Sequence, residues 1–378
     1  MKIAFISLMN DAPWGGSEVL WSKTAALALS EGHQVLITAY EHSVPAPQLL
    51  DLVAAGAQLF YRTSYRPELY VRVLRRVQSV VRPRSAELVK LQEFKPDLIF
   101  VNQGGFNDII YKTDILNWLT SNIIPYVIIC HLYNDPIKLT QTVRQATLNA
   151  YQHAQRVFTI SKTQTAVLER QLATSLSNSQ IVQNPLNLPV QMPMPFPVEA
   201  VPQLAVVASL DVDRKGHDVL LQVLSGPTWL ARDWQLNIYG KGPDQTYLAQ
   251  LVSYYKLDTK VAFHGHLADS ADIWRTNHIL IIPSRIESGP MVLVEAMLSG
   301  RPVVSTDVGL VKEWLEDNAT GFIAEASLPD SLNQALEQCW TQKDKWPQMG
   351  TLAFERASKQ IQANPAREML TMLTSIVG

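Results

Sequence analysis

The chain has 378 residues, of which 47% are hydrophobic and only 17% are charged. This length corresponds to about two to three domains of roughly 150 residues each, and the low charge content argues against intrinsic disorder. A formal net charge of −2 argues against a dedicated nucleic-acid binder. Two distant cysteines, Cys130 and Cys339, cannot form a disulfide framework or a Cys-based zinc site, so we expect a reducing compartment.

The N-terminal residues predict a first β-strand and not a signal peptide. Residues 1–11 contain one lysine and a short apolar run, followed by polar residues without a small-residue cleavage site. No apolar run approaches the ~20 residues needed to span a bilayer. We therefore expect a soluble, cytoplasmic protein that at most contacts the inner face of a membrane peripherally.

Short apolar, β-branched runs recur along the chain, and amphipathic stretches separate them. This alternation predicts βα units and an α/β fold with parallel sheets that are buried on both faces. The predicted strands are Ile3–Leu8, Gln34–Ala39, Asp97–Val101, Pro125–Cys130, Arg156–Ile160, Leu204–Ser209, Gln235–Tyr239, Val261–Phe263, Ile279–Pro283, Pro302–Ser305 and Gly321–Ala324.

A proline-rich linker divides the chain into two halves of similar size. Six prolines lie between Pro185 and Pro202, where they exclude a central strand or a helix interior. We predict an N-terminal domain over 1–186, a linker over 187–203 and a C-terminal domain from 204. Because parallel sheets bind ligands beyond the carboxyl ends of their strands, we expect both domains to present loops to a cleft between them.

The N-terminal half carries a basic stretch over residues 62–95. Residues 1–190 have a net charge of +4 and the remainder −6. The interleaved apolar residues are typical of a basic amphipathic helix, a candidate for an anionic membrane surface or an acidic acceptor. A solvated helix face is the alternative. The basic residues of the stretch 62–95 are Arg62, Arg66, Arg72, Arg75, Arg76, Arg82, Arg84, Lys90 and Lys95.

The segment after the predicted strand Ile279–Pro283 has the pattern of a loop that enters a helix. Ser288 is placed to cap that helix, and Pro290 suits its first position. Free amide groups there, with Gly289 allowing close approach, predict an anion site. Glu287 precedes the helix and Glu295 lies inside it, roughly 9 Å apart along the axis. Two acids around an anion site suit a ligand with hydroxyls at both ends and phosphates between them, as in a nucleotide sugar.

Other short motifs accompany this Glu-x7-Glu pair in a fixed order along nearly the whole chain. They are Gly15-Gly16-Ser17-Glu18, 31–35 (EGHQV), His131, Ile160-Ser161, Asn184-Pro185, Lys215-Gly216-His217-Asp218, 239–243 (YGKGP) and Phe263-His264-Gly265. Each motif alone is modest, but their order and spacing together resemble glycosyltransferase family 4, a family of retaining enzymes.

The resemblance implies a GT-B fold, with two Rossmann-like β/α/β domains that face a central cleft. The N-terminal domain would bind the acceptor, and the C-terminal domain, over 204–360, the nucleotide sugar. The last helix, within 361–378, would pack back on the N-terminal domain. The resemblance also implies that catalysis needs no metal or other cofactor.

Residue roles follow from the resemblance position by position. Lys215 matches the cation that binds the diphosphate, and His131 matches the histidine that contacts the donor sugar. Glu287 would hold sugar hydroxyls and Glu295 the ribose hydroxyls. The remaining donor-binding positions would be Gly15, Gly16, Arg214, Gly240, Gly265, His266, Ser288, Gly289, Pro290, Met291 and Val292.

One position departs from the family pattern. The family has an arginine six residues before the lysine, where this chain has Ser209. Arg214 is a candidate substitute, although its side chain is expected to point away from that of Lys215. The nearby Asp211 and Asp213 have the D-x-D spacing of a metal site, but Asp213 is more simply a helix-start acid.

The resulting prediction is a retaining transferase that moves a hexose from a nucleoside-diphosphate sugar to an acceptor hydroxyl. A UDP-sugar is favoured over a GDP-sugar, and the acceptor would be a glycan, a lipid or a small molecule. The alternatives are a nucleotide-sugar epimerase of GT-B fold and a catalytically idle nucleotide-sugar-binding subunit. Candidate acceptor contacts beyond strand ends are Asn102, Tyr133, Asn134 and Asp135.

Overall fold

A computed structural model shows two compact α/β units. One unit comprises Met1–Pro185 with Ala363–Gly378, and the other comprises Leu186–Gln362. Each is built on a parallel β-sheet, which confirms the predicted fold class. The structure describes residues 1–10, 12–62, 85–132, 138–186, 193–267 and 270–378.

The N-terminal unit contains a parallel sheet whose strands are mostly buried. They are β1 (Lys2–Ser7), β2 (Gln34–Tyr40), β3 (Gln58–Arg62), β4 (Leu98–Gln103), β5 (Tyr126–Cys130), β6 (Arg156–Thr159) and β7 (Ser179–Ile181). The strand order is β3-β2-β1-β4-β5-β6-β7. Separate apolar cores pack on its two faces, as expected for a parallel sheet.

Helices connect these strands and cover the sheet. Ser85, Thr140 and Ser161 cap three of them, each accepting a hydrogen bond from the backbone amide three residues later. The helices are α1 (Val19–Ser30), α2 (Pro47–Ala54), α3 (Ala86–Phe94), α4 (Thr113–Ser121), α5 (Gln141–His153) and α6 (Lys162–Leu172), with 3-10 turns at Gly16–Glu18 and Asp108–Tyr111.

The C-terminal unit repeats this architecture with a smaller sheet. Its strands are β8 (Gln203–Val207), β9 (Gln235–Tyr239), β10 (Val261–Gly265), β11 (Ile279–Ile282), β12 (Val303–Thr306) and β13 (Gly321–Ala324). They are arranged in the order β10-β9-β8-β11-β12-β13. The helices are α7 (Val212–Lys215), α8 (His217–Leu224), α9 (Pro227–Leu230), α10 (Gln245–Tyr254), α11 (Ser270–Thr276), α12 (Met291–Leu298), α13 (Val311–Trp314), α14 (Pro329–Thr341) and α15 (Trp346–Gln360), with a 3-10 turn at Lys343–Lys345.

The strand order of each sheet reverses at one position. In the N-terminal unit the chain moves outward in opposite directions from β1 and β4, and in the C-terminal unit from β8 and β11. Loops that leave such neighbouring strands diverge and open a crevice at their carboxyl ends. These two positions are therefore where the topology favours ligand binding.

The final helix, α16 (Pro365–Val377), belongs to the N-terminal unit although it follows the C-terminal unit in sequence. It packs against α1, and its Met369, Leu370 and Leu373 are buried in the core of that unit. Arg367 also forms an ion pair with Glu31, which follows α1. Among the described residues, none of the helices combines the length and apolar character needed to cross a membrane.

The basic stretch differs from the predicted amphipathic helix at its first residue. Arg62 ends β3, is 6% exposed and pairs with Glu87, because a guanidinium at this buried position requires a charged partner. At the other end, Lys90 pairs with Glu93 on α3, and Lys95 follows that helix. Residues 63–84, which carry most of the basic stretch, lie outside the described residues.

Arg301 connects the proline-rich segment to the rest of the C-terminal unit through hydrogen bonds. Its side chain is fully buried and donates hydrogen bonds to the carbonyls of Pro195 at 2.7 Å, Ser299 at 2.9 Å and Asn277 at 3.0 Å. The ring of Phe196 lies 5.4 Å from the guanidinium carbon. One buried side chain therefore satisfies backbone carbonyls from several separate segments.

We predict that Arg301→Met lowers the free energy of unfolding of the C-terminal unit by about 3–5 kcal/mol, because several buried carbonyls lose their donor. Urea denaturation measures this change. Arg275→Met is the matched control: Arg275 pairs with Asp272 on the surface, so its loss should stay within about 0.5 kcal/mol. Equal effects of the two substitutions would contradict the anchoring role of Arg301.

Candidate functional site

The loops after β8 and β11 bring a lysine and a glutamate together at the reversal point of the C-terminal sheet. Lys215 ends α7, and its Nζ lies 2.5 Å from Oε1 of Glu287. Ser284 donates a hydrogen bond of 3.2 Å to the same oxygen. Both charged side chains are only partly exposed, at 17% and 14%. Two residues that are 72 positions apart thus form one ion pair where a ligand is expected.

Backbone contacts fix the relative position of these two loops. The amides of Arg285 and Ile286 donate to the carbonyl of Arg214 at 2.8 and 3.1 Å. Gly216 has a φ of +64°, and a Cβ there would lie 2.0 Å from the carbonyl oxygen of Pro283. Only glycine permits this approach, which places Lys215 beside the loop that carries Glu287.

The side chain of Arg214 is directed elsewhere. Its Nε donates to Oδ2 of Asp211 at 2.7 Å, and Asp211 in turn caps α7. Ser209, at the position where the family resemblance predicts an arginine, is exposed just after β8. Lys215 is therefore the cation in contact with Glu287, and Arg214 is held by its own carboxylate partner.

The start of α12 differs from the prediction. Pro290 is the N-cap of the helix and Met291 its first residue, and no side chain caps it. Pro290 occupies the cap because its extended backbone leaves its carbonyl free to accept from Leu293 at 3.0 Å. The expectation that Ser288 caps this helix and that Pro290 takes its first position is therefore wrong. Ser288 is buried within the preceding loop.

A glycine that the sequence analysis did not single out packs directly against the loop that carries Glu287. Gly309 has a φ of +58°, and a Cβ there would lie 2.4 Å from the carbonyl oxygen of Ser288 and 2.9 Å from that of Glu287. The loop that carries Glu287 therefore rests directly on the backbone after β12. The only sequence signal was a glycine shortly after a predicted strand.

The other predicted donor-binding residues of this unit lie along the same edge of the sheet. Glu295 is on α12, and burial raises its pKa to about 7. Gly240 follows β9 and donates to the carbonyl of Gly265 at 2.7 Å, while His266 is exposed just after β10. A Cβ at Gly240 would lie 1.9 Å from the carbonyl oxygen of Ala208, so this glycine has a packing role. Gly289 and Val292, partly buried, flank Pro290 and Met291 at the start of α12.

A second polar cluster lies at the reversal point of the N-terminal sheet. His131, directly after β5, contacts Oδ1 of Asn102 on β4 through its Nε2 at 2.9 Å. Asn102 Nδ2 donates to Oε1 of Glu18 at 2.7 Å. Burial lowers the pKa of His131 to about 3, so its imidazole is neutral at physiological pH. Burial also raises the pKa of Glu18, which the surrounding hydrogen-bond donors oppose.

The remaining N-terminal candidates are placed around this cluster or outside the described residues. Gly15 precedes the 3-10 turn Gly16–Glu18 that positions Glu18 after β1. Asn102 is 1% exposed, and both polar atoms of its amide contact protein groups, so its prediction as an acceptor contact has no structural support. Tyr133, Asn134 and Asp135 lie outside the described residues.

No metal-binding cluster is found in the described part of the chain, where no three His, Cys, Asp or Glu side chains are grouped to hold an ion. Asp211 of the D-x-D pattern instead accepts hydrogen bonds from Arg214 and caps α7. This agrees with the reading of the pattern as part of a helix start.

Residues 201–342 match the family model for glycosyl transferases group 1. Over 131 residues the chain is 27% identical to N-acetyl-alpha-D-glucosaminyl L-malate synthase of Bacillus anthracis and 34% identical to phosphatidyl-myo-inositol mannosyltransferase of Mycobacterium leprae. These alignments cover 35% and 33% of this chain, and 34% of each relative. The chain therefore spans about a third of the length of the curated relatives it matches.

Solved structures match over the whole chain. HepE of Anabaena in complex with UDP-glucose has a TM-score of 0.74 at 18% identity and covers 100% of both chains. Sucrose-phosphate synthase of Thermosynechococcus elongatus has a TM-score of 0.75 at 17% identity and covers 99% of this chain and 98% of its own. The fold is therefore GT-B, and the segment that carries Lys215, Glu287 and Glu295 is the one that matches group 1 glycosyl transferases.

We predict that Glu295→Gln changes the pH dependence of stability. A carboxyl whose pKa is raised from about 4.5 to about 7 on folding stabilises the protein below pH 4.5, and this contribution is lost as the pH rises through 7. The variant lacks this loss, so relative to wild type it should gain about 1–3 kcal/mol between pH 4.5 and pH 8. Urea denaturation at both pH values measures the difference. The exposed Glu325→Gln serves as control, and a pH-independent difference for Glu295→Gln would contradict the raised pKa.

Proposed function

We propose that the protein is a retaining glycosyltransferase of family 4 that transfers a hexose from a nucleoside-diphosphate sugar to an acceptor hydroxyl. The observation that carries this proposal is the pairing of Lys215 with Glu287 at the reversal point of the C-terminal sheet. Both residues lie in the segment that matches group 1 glycosyl transferases. The GT-B fold and the presence of UDP or UDP-glucose in the HepE complexes support a UDP-sugar as donor.

Donor binding would break the ion pair between Lys215 and Glu287 and give each residue a new partner on the donor. The diphosphate offers Lys215 more negative charge than Glu287 does, so the lysine would turn to the phosphates. Glu287 would then be free to accept hydrogen bonds from hydroxyls of the sugar, and Glu295 from those of the ribose. Lys215 and the free amides at the start of α12 would supply the positive field, so the site needs no metal ion.

The transfer itself would proceed on one face of the sugar. The bond between the anomeric carbon and the phosphate oxygen breaks, and the acceptor oxygen forms a new bond to that carbon from the same side. The acceptor proton passes to the departing phosphate oxygen, which balances the step without an enzymatic base. The contribution of the protein is to orient the reactants and to stabilise the diphosphate charge through Lys215.

The N-terminal unit would bind the acceptor, a hydroxyl of a glycan, a lipid or a small molecule. Its neutral His131 would contact the donor sugar, and it suits a hydrogen bond with a hydroxyl of that sugar because an uncharged imidazole can accept one. A nucleotide-sugar epimerase of the same fold is the second candidate, since the HepE likeness shows the fold alone. An epimerase converts the donor without an acceptor, which an assay for transfer distinguishes.

The proposed function predicts a thermal shift with one nucleotide among UDP, GDP, ADP and their hexose conjugates. A ligand that binds only the folded state raises the melting temperature, by an amount that EDTA should leave unchanged. Donor consumption that depends on an added acceptor then tests transfer. Glu287→Ala should bind the nucleotide but lose most of the transfer rate, roughly 100-fold or more, whereas Glu325→Ala should retain it. No shift with any nucleotide, or transfer by Glu287→Ala near the wild-type rate, would refute this assignment.

We also predict that Ser209→Arg strengthens nucleotide binding. Arg214 is held by Asp211, so the site has room for a second cation at the exposed position after β8. The new charge should raise the affinity for UDP roughly fivefold to tenfold at low salt, and less at high salt. Isothermal titration calorimetry measures both values. Ser209→Gln adds length without charge and should leave the affinity unchanged; an equal gain in this control would exclude an electrostatic cause.

A further inference from the structure

A chain of hydrogen bonds links a buried carboxylate to His131 in the N-terminal unit. Glu18 ends the turn after β1, Asn102 lies near the end of β4, and His131 follows β5. The three side chains are 4%, 1% and 7% exposed. They come from three separate loops or strands at the reversal point of the sheet, so the fold and not local sequence brings them together.

The surroundings of Glu18 fix which of its atoms accept hydrogen bonds. Oε2 accepts hydrogen bonds from Nε1 of Trp21 at 2.9 Å and from Oγ of Ser7 at 2.7 Å. An indole nitrogen only donates, so this oxygen must accept. Oε1 faces Nδ2 of Asn102 at 2.7 Å. A carboxylate in this position therefore selects the amide orientation of Asn102 in which its NH₂ group points to Glu18.

The orientation of Asn102 in turn determines the proton position on His131. With its NH₂ group on Glu18, Asn102 presents its carbonyl oxygen to Nε2 of His131 at 2.9 Å, and that nitrogen must carry the hydrogen. A neutral imidazole has a single N–H, so Nδ1 keeps a lone pair. Nδ1 is buried and has no hydrogen-bond partner in the described structure. A buried acceptor left in this state costs free energy that a ligand donor would recover.

We propose that Glu18, acting through Asn102, is a positioning residue that holds the proton of His131 on Nε2 and keeps Nδ1 as an acceptor for a hydroxyl of the substrate sugar. The sugar as ligand rests on the proposed function, whereas the proton position rests only on the three side chains. The two parts therefore have separate tests.

Glu18→Gln offers a sharp test because it should reverse the whole chain of hydrogen bonds. Trp21 still needs an acceptor, so the carbonyl oxygen of the new glutamine takes the place of Oε2, and its NH₂ group faces Asn102. Asn102 must then rotate to present its oxygen to the glutamine and its NH₂ group to His131. Nε2 becomes the acceptor, and the proton moves to Nδ1.

Nitrogen-15 NMR of histidine-labelled protein reads this proton position directly and needs no enzymatic activity. His131→Gln identifies the signals of His131 among the eight histidines. We expect a protonated Nε2 and an unprotonated Nδ1 in wild type, and the opposite pattern in Glu18→Gln. Ser17→Ala is the matched control, because it removes only a 3.4 Å contact to Glu18 and should keep the wild-type pattern.

Two spectra would overturn the proton assignment: a wild-type His131 protonated on Nδ1, or a Glu18→Gln variant that folds and keeps the wild-type pattern. The wild-type spectrum decides the question even if Glu18→Gln fails to fold, since it requires no substitution at position 18.

The ligand part is tested with donor sugars in which each hydroxyl in turn is replaced by fluorine, which cannot donate. At one position the wild type should bind the fluorinated sugar roughly tenfold more weakly, and this penalty should fall several-fold in Glu18→Gln but not in Ser17→Ala. No position-specific penalty, with the NMR pattern as expected, would overturn the sugar contact alone. Failure of all nucleotides to bind would instead refute the proposed function.

Discussion

The reversal of strand order within each parallel sheet is the constraint on which the site depends. At β8 and β11 the chain leaves neighbouring strands in opposite directions, and short loops suffice to set Lys215 against Glu287. The same reversal at β1 and β4 brings Glu18 to Asn102. Because hydrogen-bonded strands fix where the following loops and turns begin, the sheet topology determines which of these polar groups meet.

The strands were predictable from the sequence, while several local contacts were not. All eleven apolar runs form strands, but β3 and β7 at the sheet edges were missed, because the apolar run of QLFYR has no β-branched residue and SQI has a single apolar residue. The cap of α12 was misplaced because Ser288 and Pro290 are both acceptable near a helix start, and tertiary packing decides between them. The contact of Glu18 with Asn102 joins residues 84 positions apart, which no local pattern reveals.

The partly buried charges of the C-terminal unit differ in whether an ion pair compensates them. Lys215 and Glu287 neutralise each other in the free protein, so neither charge is left unpaired in a partly buried position. Within the described parts of the chain Glu295 forms no ion pair, and burial raises its pKa. A glutamine would fit the same helix at lower cost near neutral pH.

The position of α16 has a consequence for synthesis of the chain. The part of α1 against which this helix packs is synthesised before the C-terminal unit, whereas α16 itself is synthesised only after that unit. At roughly 5–20 residues per second, the delay between the end of the first segment and α16 is about 10–40 s. On the ribosome the C-terminal unit is therefore complete before the N-terminal one, although its synthesis begins later. During that interval, the surface of α1 that α16 covers in the folded unit lacks this partner.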